Sequence, residues 1–161
     1  RGLLTEAHLE KLVKQLTTIN KAGEALGKLS AVHAMTDVTG FGLAGHLTEM
    51  MQGSNLTAEI SYSKLPIIPE VREYIAQKAI PGATARNWNA TQAGIELAPE
   101  IDEKEASLLL PDPQTNGGLL IAVAPEAVKE VQAILENLGI EYREPIGVCK
   151  AATEKRILIQ K

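Results

Sequence analysis

Thr36-Asp37-Val38-Thr39-Gly40-Phe41-Gly42-Leu43 places a carboxylate at the end of an apolar run, then a hydroxyl, two glycines and the start of an amphipathic segment, Leu43 to Met51. The stretch reads as strand, tight turn and helix N-terminus. Backbone N–H groups at a helix start attract phosphate, and a nearby Asp can hold a metal that bridges to it. The same letters also fit an ordinary turn in which Asp37 caps the following helix. Taken alone, the stretch leaves both readings open.

Working outward, Thr5 to Leu26 reads as a helix. Leu9, Leu12, Val13, Leu16 and Ile19 recur at spacings of three and four and form one apolar stripe. Thr5 is the expected N-cap, Gly27 the expected stop, and His8 a solvated residue of the first turns. Ala31 to Thr36 is the strand that delivers Asp37. Leu56 to Ser63 alternates Ala58, Ile60 and Tyr62 with polar neighbours and reads as a second strand. Pro69 suits the first turn of a helix from Glu70 to Ala79. Pro81 to Gln92 reads as a polar loop, and Asp102 to Leu110 as a short helix. Leu119 to Ala124 is the most apolar strand of the chain, expected to be buried. Pro125 opens a helix to Leu138, stopped by Gly139. Ile140 to Cys149 and Arg156 to Gln160 read as closing strands, with a hairpin across Lys150–Lys155. Several strands adjoin without a crossover helix, which points to an α+β fold with a mixed β-sheet and packed helices.

A second stretch, Asp112-Pro113-Gln114-Thr115-Asn116-Gly117-Gly118-Leu119-Leu120, opens that apolar strand. Together, Thr36–Leu47 (preceded by His33-Ala34-Met35) and Asp112–Val123 resemble the C-terminal half of the selenophosphate synthetases, also called selenide, water dikinases. These belong to the aminoimidazole ribonucleotide synthetase superfamily. The resemblance runs from about Leu9 to about Val148. It implies the C-terminal α/β domain of that superfamily. It further implies that the full-length protein makes selenophosphate, AMP and phosphate from selenide, ATP and water. Asp37 is then a Mg²⁺ ligand, acting with Asp residues of an N-terminal ATP-binding domain. Thr36, Thr39, Gly40 and Gly42, read from their own chemistry, are the candidate residues for binding the nucleotide. The segment Gly82-Ala83-Thr84-Ala85-Arg86-Asn87 resembles the family's Gly-Gly-Thr…Asn stretch, with Ala83 in place of a Gly. The common family form has Ser at the position of Asn116. The family's reactive Cys or selenocysteine sits near the N-terminus of the whole enzyme, and Cys149 does not match that segment.

The residues themselves constrain this picture. Mg²⁺ prefers carboxylate oxygens with water and phosphate, and a single carboxylate does not make a site. Thr36 and Thr39 can serve phosphate or the turn's own backbone. Gly40 and Gly42 allow positive φ and close approach. Phe41 is expected in the core and Gly45 at a close helix contact. His46 reads as a hydrogen-bonded packing residue rather than a base. His33 and Asp37 share a strand face but stand ~13 Å apart, too far to chelate one ion.

At 161 residues the chain suits one domain, 1–161. It is expected to be the C-terminal part of a longer enzyme. Net charge is −4 with scattered bases, which argues against a nucleic-acid surface. No apolar run approaches the ~18 residues of a membrane span. The single Cys149 excludes an internal disulfide and is expected to be a buried, inert thiol. A cytoplasmic protein fits, with a homodimer expected of the full-length form. Two other readings stand beside this one. One is a non-catalytic binding or structural module of the same fold. The other is a related ATP-dependent enzyme such as thiamine monophosphate kinase, which lacks the combined motif strings.

Overall fold

The computed structural model describes residues 2–161. Along the chain run α1 (Glu6–Thr17), α2 (Ala22–Leu26), β1 (Val32–Asp37), α3 (Gly42–Ser54), β2 (Leu56–Ser61), α4 (Val71–Ala76), α5 (Thr84–Thr91), β3 (Ile95–Leu97), α6 (Glu103–Leu109), β4 (Leu119–Val123), α7 (Val128–Asn137), β5 (Gly147–Ala151) and β6 (Ile157–Gln160). The strands form a four-stranded mixed sheet, order β3-β6-β2-β5, and a separate antiparallel pair, β1-β4. This is the α+β arrangement expected, with its strands divided between two sheets.

Two cores follow from the two sheets. Ala58 and Ile60 of β2, Ile95 of β3, and Ile157 and Ile159 of β6 pack beneath Ala44, Leu47 and Met51 of α3 and Ala106 of α6. β6 lies between two parallel neighbours, so Ile157 and Ile159 are almost wholly buried. The second core joins Ala22 and Leu26 of α2 to Val131 and Leu135 of α7, over Val32, Met35, Leu119, Ile121 and Val123 of the β1-β4 pair. Strand side chains alternate between faces, and β4 uses both. Leu119, Ile121 and Val123 turn to the second core, while Leu120 reaches the first. Each residue of β4 is therefore only half-buried, where the sequence suggested a fully buried strand. The segment from β1 into α3 crosses the seam between the cores.

The expected long first helix is two. Thr5 does cap α1, accepting from the His8 N–H at 3.3 Å. The helix stops at Thr17, where its last carbonyls find side-chain donors. Thr17 Oγ1 donates to Val13 O (2.8 Å), Thr18 Oγ1 to Lys14 O (2.6 Å), and Asn116 Nδ2 to Gln15 O (3.0 Å) and Thr18 O (2.6 Å). Such local bonds compete with helix continuation. α1 has no buried residue, and His8 is half-buried rather than fully solvated, its Nδ1 lying 2.6 Å from the Tyr74 hydroxyl.

Three further expectations are corrected. The polar segment 81–92 contains a helix, α5, because Thr84 and Thr91 are buried on one side and Trp88 packs on the first core. β5 and β6 do not form a hairpin. β2 is inserted between them, with Ala58 opposite Cys149 on one side and Ile157 on the other. The loop between β5 and β6 is held by the buried Thr57, whose hydroxyl donates to Lys155 O (2.8 Å) and accepts from Thr153 N–H (2.9 Å). Finally, Cys149 lies on the exposed edge strand β5, not in the core. Partial burial of its thiol pushes the pKa up, away from the thiolate form.

Candidate functional site

β1 ends at Asp37, opposite Leu119 of β4, so the two quoted stretches leave the same strand pair side by side. Backbone bonds then fasten them together. Val38 N–H donates to Gly118 O (2.9 Å), Gly117 N–H to Val38 O (2.9 Å), Gln114 N–H to Thr39 O (3.0 Å), and Ala44 N–H to Leu110 O (2.9 Å). Two glycines permit this approach. Gly42 has φ +67°, and a Cβ there would lie 2.5 Å from the Pro111 carbonyl carbon. A Cβ on Gly117 would lie 2.9 Å from Val38 O. Asn87 of α5 braces both loops with one amide, its Nδ2 donating to Gly40 O at 2.8 Å and Pro111 O at 3.0 Å.

Each residue singled out in the sequence has a definite place in this unit. Asp37 is exposed, and among the described residues nothing hydrogen-bonds its side chain. It is not the cap of α3: the N-cap position belongs to Phe41, and no side chain caps that helix. Thr36 Oγ1 donates to Asp37 O at 3.3 Å. Thr39 Oγ1 lies 3.1 Å from His46 Nε2. Gly40 is exposed, and a Cβ there would meet nothing within 4 Å. Gly42 is buried under Pro111 and Asp112, and its N–H is taken by Thr39 O (3.0 Å). With Ala44 N–H also engaged, much of the helix start serves the fold, and Gly42 acts by shaping the turn.

His46 is buried between Thr39 and Glu49, its Nδ1 3.6 Å from a Glu49 carboxylate oxygen, as befits a packing residue. Phe41 is a correction: it is 58% exposed, lying beside the turn with its ring 5.8 Å from that of His46. Gly45 is also corrected. The close contact it permits is with Phe41 Cβ, at 2.4 Å from a Cβ placed on Gly45, and not with another helix.

Asp112 and Asn116 carry features the sequence did not disclose. Asp112 is half-buried and accepts a hydrogen bond from Gln114 Nε2. Burial pushes its pKa up to about 6, against a smaller lowering by Gln114. Asn116 Nδ2 serves two carbonyls at the end of α1, while its Oδ1 accepts from Gly118 N–H at 3.3 Å. A serine has a single O–H donor and cannot serve both carbonyls at once. Asn116 thus clamps α1 to the glycine loop.

Two concavities of about 240 and 300 Å³ lie elsewhere, lined by Arg72, Asp102 and Glu105 and by Tyr62, Asp102 and Lys161. The Arg72–Glu105 pair at 3.0 Å holds the Glu105 carboxyl below its usual range, and desolvation followed by Glu105 raises Tyr62. These are mutually satisfied groups, and neither concavity includes a residue of the two motif loops. Among the described residues, no group of three His, Cys, Asp or Glu side chains converges for a metal, and no helix is long and apolar enough to cross a membrane.

Comparison with known proteins matches this unit to a family. The chain is 42% identical over 160 residues to the selenide, water dikinase of Photorhabdus laumondii, covering 99% of the chain and 45% of that protein. It is 48% identical over 132 residues to the selenide, water dikinase of Pseudomonas putida, covering 82% of the chain and 37% of the relative. The chain thus spans less than half the length of these relatives. Among solved structures, the hydrogenase maturation protein HypE in complex with ATP superposes with a TM-score of 0.59 at 20% identity, over 88% of this chain and 36% of that one. E. coli HypE gives 0.58 at 19%, over 96% and 42%. At such identities the likeness is one of fold. Residues 1–159 match the family described as AIR synthase related protein, C-terminal domain, and the chain belongs to that family.

Proposed function

We propose that the chain is the C-terminal domain of a selenide, water dikinase, in which its loops 36–42 and 112–118 form one wall of an ATP cleft. The full-length protein is then a cytoplasmic transferase that uses selenide, ATP and water and releases selenophosphate, AMP and phosphate. The observation that carries this reading is Asp37. It is an exposed carboxylate without a hydrogen-bond partner among the described residues, at the rim of a loop fastened by Asn87 and by bonds to the second motif. A structural Asp would be expected to cap or pair, and this one does neither.

In this reading Asp37 is one Mg²⁺ ligand, and further carboxylates come from an N-terminal domain. The fit is partial by design, because one carboxylate does not hold Mg²⁺. When bound, the metal would neutralise crowded phosphate oxygens. The chain's own contribution is positional. Thr36, Thr39 and Gly40 face the phosphates, Gly42 sets the turn, and His46 fixes the Thr39 hydroxyl. Homodimerisation of the full-length protein is part of the same reading.

Asp37→Ala in the full-length protein tests it. Turnover should fall roughly 100-fold or more, the scale on which a preorganised charge-stabilising group acts, and the Mg²⁺ concentration for half-activity should rise. Because Asp37 caps nothing, stability should change by no more than about 0.5 kcal/mol. Near-normal selenophosphate formation by the variant would remove Asp37 from the metal site.

A further inference from the structure

α1 is mounted with its polar side inward. His8, Lys11 and Gln15 hold it to the body: His8 to Tyr74, Lys11 in an ion pair with Glu70, and Gln15 Nε2 to Asn116 O at 3.0 Å. At 3.6 residues per turn, the stripe of Leu9, Leu12, Val13 and Leu16 lies roughly 120° around the helix from that face. These side chains are 46%, 37%, 47% and 38% exposed, and Ile19 just beyond the helix is 80% exposed. Single exposed leucines are ordinary, but a contiguous apolar stripe on a helix fastened from its other side marks a contact surface. Leu3 and Leu4, also exposed, prolong it toward the N-terminal end of the domain.

We propose that this stripe is the seat of the N-terminal part of the longer protein, so that α1 is a mortise between the two parts rather than a component of this domain's core. Two observations select that occupant. The family match is to a C-terminal domain, and the chain covers 45% of a relative to which it aligns over 99% of its own length. More than half of such a relative lies outside the aligned part, and a C-terminal domain is preceded by the rest of its protein on the side where α1 stands. The seat also adjoins the motif wall. Asn116, in the loop beside Val38, binds the last carbonyls of α1, so the end of α1 is joined directly to the motif loops. The proposal rests on the preceding reading only in taking an N-terminal part to be present.

The test is Leu12→Lys with Leu16→Lys in the full-length protein, read by small-angle scattering and calorimetry. The expected result is a larger radius of gyration and two separate melting transitions in place of one. An unchanged radius and a single unchanged transition would overturn the proposal. The same pair in the 161-residue chain should leave its circular dichroism and melting temperature intact. Unfolding there would show the stripe to be this domain's own core and would also overturn it. So would light scattering showing the 161-residue chain to be a dimer that the pair disperses, since a second copy would then be the occupant. None of these readouts depends on activity. A protein opened by the pair but inactive toward selenide in its unmodified form would fail the functional reading and keep the seat. An active protein whose shape ignores the pair would do the reverse.

Discussion

Asp112 is half-buried and bonded to Gln114 where its backbone closes over Gly42, and its pKa of about 6 lies well above the ordinary 3.8. The consequence for stability has a definite sign. Below about pH 4 the carboxyl is neutral in both folded and unfolded chains and costs nothing. As pH rises from about 4 to 6, the unfolded chain loses its proton first, the folded chain binds more protons, and stability falls. Above pH 6 the penalty is constant. Asp112→Asn should therefore stabilise the 161-residue chain at pH 7.5, keeping an acceptor for Gln114. A shift of this size would be worth up to ~3 kcal/mol for a fully buried group. Solvent screening of a half-exposed carboxyl reduces it to about 1 kcal/mol, or roughly 2–4 °C in melting temperature. The advantage should vanish below about pH 4, and a variant gain that is flat with pH would mean the carboxyl is not desolvated. Asp37, which carries the proposed chemistry, was singled out through the motif it shares with a known family, since its letters alone also fitted a helix cap. Asp112 was legible only as a turn, since burial of a polar side chain depends on what folds over it.

At the scale of elements, the sequence disclosed those whose pattern is local. α3, α6 and α7 start and stop within a few residues of expectation, and Asp102 caps α6 by accepting from the Lys104 N–H at 2.9 Å. α5 escaped because its only large apolar residue is Trp88, and its burial rests on threonines that pack like small hydrophobes. β3 escaped because three residues carry no period, and it exists through its parallel pairing with β6. The β5-β6 hairpin failed because adjacency in sequence says nothing of β2 slipping between them. The unread helix turns out to brace the site. Asn87→Asp keeps the size of the side chain but removes both donors to Gly40 O and Pro111 O. With Pro111 buried, the loss should cost about 1–3 kcal/mol and speed amide exchange at Gly42 and Ala44. Asn89→Ala, an exposed position on the same helix, should stay within about 0.5 kcal/mol. Equal effects of the two changes would show that α5 supports the loops only through its packing.

Taken whole, the molecule presents a well-braced loop unit on an open surface. The seam between two cores fixes Asp37, Thr39 and Gly40 in place, yet neither described concavity includes any of them. The N–H groups of Gly42 and Ala44, which a phosphate would need at the helix start, are bonded to Thr39 O and Leu110 O. Net charge is −4, so polyanions are repelled at long range rather than gathered. At short range Asp37 repels ATP⁴⁻ until a metal intervenes, and a metal held by one carboxylate is itself weakly held because Mg²⁺ gives up water reluctantly. In the proposed reading, this domain supplies a positioned wall and not a complete nucleotide site. The 161-residue chain should give no measurable heat on titration with Mg-ATP and no AMP on incubation with selenide and ATP. Affinity should emerge only when an N-terminal domain adds carboxylates and a phosphate cradle. A dissociation constant in the low micromolar range for the 161-residue chain would place a complete nucleotide site within this domain, and would require convergent groups that its exposed loops do not offer.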